Sequence, residues 1–416
     1  MKMMMTAAGA ATILAAAAGA DMNADEVRAV VSEMLADAET RSSLLQGGGS
    51  AGWDKGFYIE SGDGAFKLKV NGQMQFQFVA NSNDSAMGDD YDHDFQTRRT
   101  KLTFSGSVHD EWGYKLNGAY SRSTGLFALE DAYITNQLND DVKLTLGQFK
   151  SPFLAEENNS SSRLLGAERS YSNEWFTTDR SQGVMLSGGG DQWRWSVALN
   201  DGATIRSTGR NGNQANSDLG SMNTDLAVTG RVEFLWGENA EWGQFKDMSS
   251  SSESEYAGRV GAALHYQQGS DIGGMDEQTS LAYTIDSWME FGGASLQLWA
   301  IGTSIDDEGG VSGTDSDQYA FGVQGGVHLV PDEWELFGRF EYIDFDDALG
   351  AMRDDSLSMV TVGVVNYIQG HNIKWTNQLT FAMDEVPSGT TSLALVTDGV
   401  GEDGQVGFIS QIQLLF

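Results

Sequence analysis

The sequence predicts an all-β fold, a closed antiparallel transmembrane β-barrel of about 16 strands preceded by a short N-terminal amphipathic helix. Three observations predict it. From residue 57 onward, apolar and polar residues alternate with a period of two, which gives each strand two different faces. In the first long run Phe66, Leu68, Val70, Met74, Phe76 and Phe78 share one face, and Lys67, Lys69, Asn71, Gln73, Gln75 and Gln77 share the other. The apolar face is rich in Phe, Trp, Tyr, Val and Leu and almost free of charge, as a lipid-facing wall requires. The chain also ends on such a run, with Val406, Phe408, Ser410, Ile412, Leu414 and Phe416 facing one way. An aromatic strand of this kind is an aggregation template in water unless its edge is paired.

Composition agrees. The 416 residues include 51 Gly, 20 Phe, 12 Tyr and 11 Trp but only 3 Pro and no Cys. Mean hydropathy is −0.32, so polar and apolar residues are interleaved. After the N-terminal segment no apolar run is long enough for a transmembrane helix, and a barrel needs none. Without cysteine there is no disulfide framework and no thiolate metal site. A net charge of −34 argues against nucleic acid and anionic lipid surfaces as partners.

The elements follow in order. Residues 1–20 read as a signal peptide: Met1 and Lys2 are its weakly positive start, 6–17 its alanine-rich apolar run, and 18–20 a small-residue cleavage site. Residues 21–46 read as a periplasmic amphipathic helix. Val27, Val30, Val31, Met34, Leu35 and Ala38 lie on one face, with Asn23 as cap and Asp25 and Glu26 in the first turn. Such a helix can self-associate, dock on the barrel or bind another envelope component. Residues 47–56 read as a glycine-rich linker and 57–416 as the barrel.

Strands after the first are expected near 99–108, 112–121, 126–137, 141–149, 182–189, 193–200, 225–236, 255–266, 279–291, 293–304, 318–329, 333–344, 356–368, 371–383 and 404–416. Each is about the length a tilted membrane strand needs. The segment 279–304 and the strand after Leu126 have ambiguous faces. Trp112, Tyr120, Trp193, Trp236, Tyr256, Tyr266, Trp334, Tyr342 and Tyr367 fall near strand ends, as interface girdles would. The polar face is expected to line a wet lumen. Short turns alternate with longer loops, and 84–94, 306–317 and 344–355 carry much of the acid.

The last strand resembles the C-terminal signature of bacterial outer-membrane barrels, which makes Phe416 an assembly signal for the barrel-assembly machinery. Three blocks between 98 and 188 resemble the phosphate-selective porin O and P family. The first is Arg98-Arg99-Thr100-Lys101-Leu102 leading into Trp112-Gly113-Tyr114-Lys115-Leu116. The second is Leu129-Glu130-Asp131-Ala132-Tyr133-Ile134 leading into Gly147-Gln148-Phe149-Lys150-Ser151-Pro152-Phe153. Glu156-Glu157, Ser161-Ser162, Glu168-Arg169-Ser170 and Asp179-Arg180 form the third. The resemblance covers roughly 57–416. It implies a sixteen-stranded barrel in the outer membrane, commonly a homotrimer, that passes small anions through a basic pore with the loop after the fifth strand folded inward.

A pore selects by size and field, so its candidates are charged residues on inward positions. These are Lys67, Lys69, Arg99, Lys101, Lys115, Lys143 and Arg194, with Arg231, Arg259 and Arg339 further on. The first four are expected to form a ladder across the first hairpin. Any one of them is equally a solvated lumen residue. The segment 150–182 is the expected constriction and carries Lys150, Glu156, Glu157, Arg163, Arg169 and Arg180. Its mixed charge fits a transverse field or salt bridges that pin the loop, and Glu168 beside Arg169 reads as a pin.

The five histidines are scattered singly without metal-ligand spacing, so no metal site, cofactor or enzyme activity is expected. Acidic loops can bind divalent cations. Two other readings stay open: a general or cation-preferring porin, driven by the −34, and a structural outer-membrane protein tethered through its N-terminal helix.

Overall fold

The computed structural model describes residues 49–85, 88–109, 111–121, 124–202, 224–269, 278–307, 315–346, 354–387, 392–398 and 404–416. The expected signal peptide and amphipathic helix lie outside the described residues. A short ribbon opens the described chain: β1 (Ser50–Trp53) pairs antiparallel with β2 (Phe57–Glu60). Part of the stretch expected as linker is therefore strand.

Sixteen longer strands follow, β3 (Phe66–Ser85), β4 (Gly88–Val108), β5 (Trp112–Tyr120), β6 (Phe127–Asn139), β7 (Val142–Lys150), β8 (Arg180–Gly189), β9 (Trp193–Asn200) and β10 (Thr224–Trp236), then β11 (Ala257–Gly269), β12 (Gln278–Glu290), β13 (Ala294–Asp307), β14 (Ser316–Val330), β15 (Trp334–Asp344), β16 (Ser356–His371), β17 (Ile373–Ala382) and β18 (Gln405–Leu415). Each pairs antiparallel with its sequence neighbour, and β18 pairs with β3 to close the barrel. Closure removes the unpaired backbone groups that a bilayer will not solvate.

At the seam Ile412 lies beside Phe76 and Leu414 beside Met74, all four exposed on the outer face. Their inward neighbours form a buried glutamine ladder: Gln75 Nε2 donates to Gln413 at 2.7 Å and Gln77 Nε2 to Gln411 at 2.8 Å. Where β18 ends, Phe416 and Gly72 exchange backbone hydrogen bonds, and β2 takes over as the partner of β3.

Of the register shifts between the described strands, two bring charged residues together. In β3–β4 the register steps from Gln75↔Arg99 to Phe76↔Thr97, and in β5–β6 from Asn117↔Asp131 to Gly118↔Leu129. The extra residues are Arg98 and Glu130. A bulge places two consecutive side chains on one face, so Arg98 and Arg99 both turn inward, as do Glu130 and Asp131.

The segment between β7 and β8 folds into the barrel with two short helices, α1 (Ala155–Asn158) and α2 (Tyr171–Phe176). Ser170 caps α2 by accepting from Asn173 N–H at 3.0 Å. Phe153, Leu154, Tyr171, Trp175 and Phe176 pack on Ile301, Ala320, Ile343, Leu357 and Met359 of the wall, and on Val386, Leu393 and Leu395 after β17. Burial of each such aromatic contributes roughly 1.5–3 kcal/mol.

The expectation that the inward face lines a wet lumen is thus corrected along part of β11–β17, where inward apolar side chains pack against the loop. That also explains the ambiguous faces of 279–304. Leu296 and Leu298 face outward while Trp299 and Ile301 face this packing, so both faces are apolar. Tyr367 is likewise not a girdle residue. It is 7% exposed and donates to Glu335 at 2.6 Å inside the barrel.

The segment 237–256, between β10 and β11, also enters the lumen, at the mouth where the short turns and the C-terminus lie. Its 3-10 turn (Gln244–Lys246) puts Phe245 and Met248 into a second apolar cluster with Leu164, Leu165, Trp288 and Phe337. Met248 N–H donates to Arg163 O at 3.0 Å, so the two inward segments touch. Short turns mark the periplasmic end of such barrels.

Candidate functional site

What the two inserts leave open is a chain of three cavities, of about 650, 390 and 660 Å³, the first reaching β11 and β12 and the third reaching the N-terminal ribbon, the turn after β16 and the end of β18. Lys143, Lys150, Asn158 and Met185 line both of the first two. Gln73, Lys101, Thr103 and Lys115 line both the second and the third. Ser160, on the inward loop, lines all three.

The linings are basic. Lys143, Lys150, Arg194, Arg231, Lys246 and Arg259 face the first cavity, against Asp141 and Glu233. Lys101, Lys115, Lys143, Lys150, Arg169 and Arg180 face the second, against Asp131 and Glu157. Lys55, Lys101, Lys115 and Arg163 face the third, with no Asp or Glu among the described residues that line it.

Most of these cations carry a carboxylate partner. The bulge residue Glu130 takes Lys101 at 2.6 Å and Arg180 at 3.5 Å. Asp131 takes Arg180 at 2.6 Å and Lys115 at 2.7 Å. Lys150 and Arg169 share Glu157 at 2.9 and 3.3 Å. Arg194 meets Glu233 at 2.5 Å and lies over the Trp242 ring at 4.2 Å. Arg259 contacts the same Glu233 and lies 4.1 Å over Trp288. Arg231 holds Asp286 at 2.7 Å and donates to Phe153 O at 3.0 Å. Among the described residues no acid lies within ion-pair distance of Lys55, Lys143, Arg163 or Lys246.

The loop itself is fixed by charge. Glu168 is fully buried and held by Arg98 at 2.8 Å and Arg99 at 2.6 Å. Burial pushes its carboxyl up, and the two guanidiniums more than reverse this, holding it at about 2. Burial also raises Glu157, and Arg169 and Lys150 outweigh it to hold that carboxyl low. Burial leaves Glu156 above the usual carboxylate range, where it contacts Ser170 N and Oγ.

Several expected positions are corrected. Lys67 and Lys69 sit opposite Ser107 and Ser105, while Arg99 and Lys101 sit opposite Gln75 and Gln73, so the four form no ladder. The two lysines meet the N-terminal ribbon instead, Lys67 with Glu60 and Lys69 with Asp54, each at 3.7 Å. Arg99 is 7% exposed and committed to Glu168, so it does not line a cavity. Glu168 is a pin, with Arg98 and Arg99 as its partners rather than Arg169. Glu156 faces Ser170, away from the three cavities. Arg339 donates to the carbonyls of Glu168 and Arg169 and pairs with Glu341 at 3.1 Å, so it also holds the loop.

Lys101, Lys115, Lys143, Arg194, Lys150, Glu157, Arg163, Arg169 and Arg180 do face the cavities. Sequence reasoning missed Lys246 and the paired roles of Arg98, Glu130 and Asp131. Adjacent like charges inside an alternating strand were the available signal for the bulges.

A Ser–His contact also occurs in the lumen, with Ser249 Oγ 3.2 Å from His328 Nε2. The hydroxyl donates to Glu335 at 2.8 Å, and His328 Nδ1 has no hydrogen-bond partner. Among the described residues no third group accepts from or donates to the other imidazole nitrogen, as a nucleophile–base pair requires.

The family model of phosphate-selective porin O and P matches residues 66–290. An uncharacterized protein of Aquifex aeolicus is 25% identical over 265 residues, which cover 60% of this chain and 62% of that protein. The chain therefore spans less than two thirds of that relative's length. Among solved structures, the anion-selective porin from Comamonas acidovorans has a TM-score of 0.56 at 14% identity, covering 84% of this chain and 100% of that one. The outer membrane channel DcaP of Acinetobacter baumannii has the same score and identity, covering 84% and 98%. A trimer form of OmpT of Vibrio cholerae scores 0.53 at 12% identity, covering 84% and 99%. At such identities these structures bear on the fold alone. The family match extends over more than half of the chain and takes in the three motif blocks, the bulges and the inward loop, so the chain belongs to the phosphate-selective porin O and P family.

Proposed function

We propose that this outer-membrane channel lets small hydrophilic anions, phosphate among them, diffuse passively through the path that the three cavities form. One observation carries the reading: Lys and Arg outnumber Asp and Glu on the walls of all three cavities, in a chain whose net charge is −34. A basic wall of low dielectric concentrates anions at the path and raises their entry rate. The solutes would meet Lys101, Lys115, Lys143, Lys150 and Arg180 in turn. The anion-selective porin and the family description support the same sign.

The test is the reversal potential of the reconstituted protein in a potassium chloride gradient. Anion preference is expected, and cation preference overturns the reading while leaving the barrel intact. The ion pairs at Lys101, Lys115 and Arg180 favour a second reading, a general pore whose charges balance. A reversal potential near zero supports that one.

Assembly belongs to the same proposal. The protein works as a homotrimer inserted through recognition of Phe416 by the barrel-assembly machinery, with the segment 21–46 in the periplasm and divalent cations on the acidic loops. Crosslinking of membranes expressing the full chain tests the trimer, and a deletion of 21–46 separates a tethering role from a pore role.

A further inference from the structure

The N-terminal ribbon stands at the third cavity, where Trp53 and Lys55 line the space with Lys101, Lys115 and Arg163. Lys101 and Lys115 are answered by Glu130 and Asp131. Lys55 is exposed, and among the described residues neither it nor Arg163 has an acid within ion-pair distance. Asp54, its neighbour in sequence, meets Lys69 at 3.7 Å, and Asp247 lies 3.6 Å from His371, which lines the same cavity. The ribbon also exposes apolar side chains. Trp53 packs edge-on against Phe57 with ring centroids 4.9 Å apart, and both are exposed, as is Ile59. An apolar strip thus adjoins a cationic rim.

The chain itself carries the complement, tethered close by. β1 begins at Ser50, which at strand rise lies about 10 Å from Trp53. Residues 47–49 span at most about 10 Å more. Residues 21–46 hold the acids Asp21, Asp25, Glu26, Glu33, Asp37 and Glu39 against Arg28 and Arg41. At about 3.6 residues per turn, the helix expected there sets Glu26, Glu33 and Asp37 along one flank of its apolar face and Asp21, Asp25 and Glu39 along the other. Laid on the ribbon, the apolar face covers Trp53, Phe57 and Ile59 while the first flank meets Lys55 and Arg163. A short tether holds the segment at an effective concentration in the millimolar range, so modest complementarity is enough to populate the contact.

We propose that residues 21–46 dock on the ribbon and rim of their own barrel, with Glu26, Glu33 and Asp37 against Lys55 and Arg163, and narrow the path at its third cavity. The segment is then a tethered plug whose grip is electrostatic and weakens as salt screens it. The docking needs only the charge of the rim and does not rest on which ions the path prefers.

Single-channel currents of the full-length protein in planar bilayers test it. The native chain should visit a reduced conductance level, and less often as potassium chloride is raised. The triple variant Glu26→Gln, Glu33→Gln, Asp37→Asn should lose that level, and so should Lys55→Gln. The triple variant Asp21→Asn, Asp25→Asn, Glu39→Gln removes the same charge from the other flank and should keep it. A native chain without the level, its loss in both triple variants or its persistence in both overturns the proposal. The chain has no cysteine, so Asp37→Cys with Lys55→Cys introduces one pair of thiols. Oxidation should link them within one chain and hold the channel at the reduced level until a reductant is added. A link between protomers, or no link, overturns docking on the same barrel. A cation-preferring reversal potential would overturn the anion reading and leave these outcomes as they stand, because the contact reads the charge of the rim rather than of the solute.

Discussion

Arg99 grips Glu168 with two parallel contacts, Nη2 to Oε2 at 2.6 Å and Nη1 to Oε1 at 3.1 Å. Arg98 takes the same carboxylate at 2.8 and 3.2 Å, and Gln77 Nε2 adds a bond at 2.8 Å. The bulge that turns both arginines inward therefore fastens the inward loop to the wall of β4. Removing one partner of a buried ion pair leaves the other charge uncompensated, at about 3–5 kcal/mol. Glu168→Gln should lower the unfolding temperature of the barrel, followed by heat-modifiable gel mobility, and should make single-channel current noisier as the loop detaches. A quiet current at native stability would show that the apolar contacts of Tyr171 and Phe176 hold the loop unaided.

The same carboxylate sets a pH dependence. Its folded value of about 2 lies below the ordinary 4.5, so the folded state binds the proton less readily than the unfolded chain. The pair's stabilisation is then complete above pH 4.5 and is lost as pH falls from there toward 2. Channel noise should rise across that window in the native protein. In Glu168→Gln it should be high already at neutral pH and flat across the window. A native transition between pH 6 and 8 would point to a different group.

Arg180 joins three acids, Asp131 at 2.6 Å, Asp179 at 2.9 Å and Glu130 at 3.5 Å. It also lines the middle cavity. Arg180→Gln would free negative charge beside the path. A unit charge at contact distance in water is worth about 1 kcal/mol, or roughly a fivefold change in a population ratio. The anion-to-cation permeability ratio should fall by up to that factor, and Arg180→Lys should restore most of it. No change in reversal potential would mean that solutes bypass this node.

The barrel was legible because period-two patterning is local: Phe66 to Phe78 declares its faces without any partner. Strand bounds read from it agree within a few residues for most strands, and the expected pairing of the last strand with the first is the seam at Ile412 and Phe76. The plug was not legible. Inward apolar residues such as Ile301 and Met359 look like patterning noise until Phe153 and Tyr171 arrive from far along the chain to bury them. The lysine ladder failed because pairing register, not spacing along one strand, decides which charges meet. Lys67 lies where the ribbon's Glu60 competes for it. The segment 237–256 was hidden for a related reason, since Trp242, Phe245 and Met248 carry no period until the lumen supplies their partners.

Phe416 and Gly72 test closure. An ideal Cβ on Gly72 would stand 2.2 Å from Phe416 Cζ, so the glycine is what lets the terminal ring lie across β3. Backbone bonds of 3.0 and 2.6 Å join the same two residues. Gly72→Ala should push the ring aside and weaken the last contact of the seam, lowering the yield of folded barrel after refolding from urea. Phe416→Ala should lower it by a similar amount, because it removes the same ring contact. If both act through that contact, the double variant should fold no worse than Phe416→Ala alone, since residues sharing one interaction are not additive. Fully additive losses would instead assign Gly72 a backbone role at the junction between β2 and β18, independent of the ring.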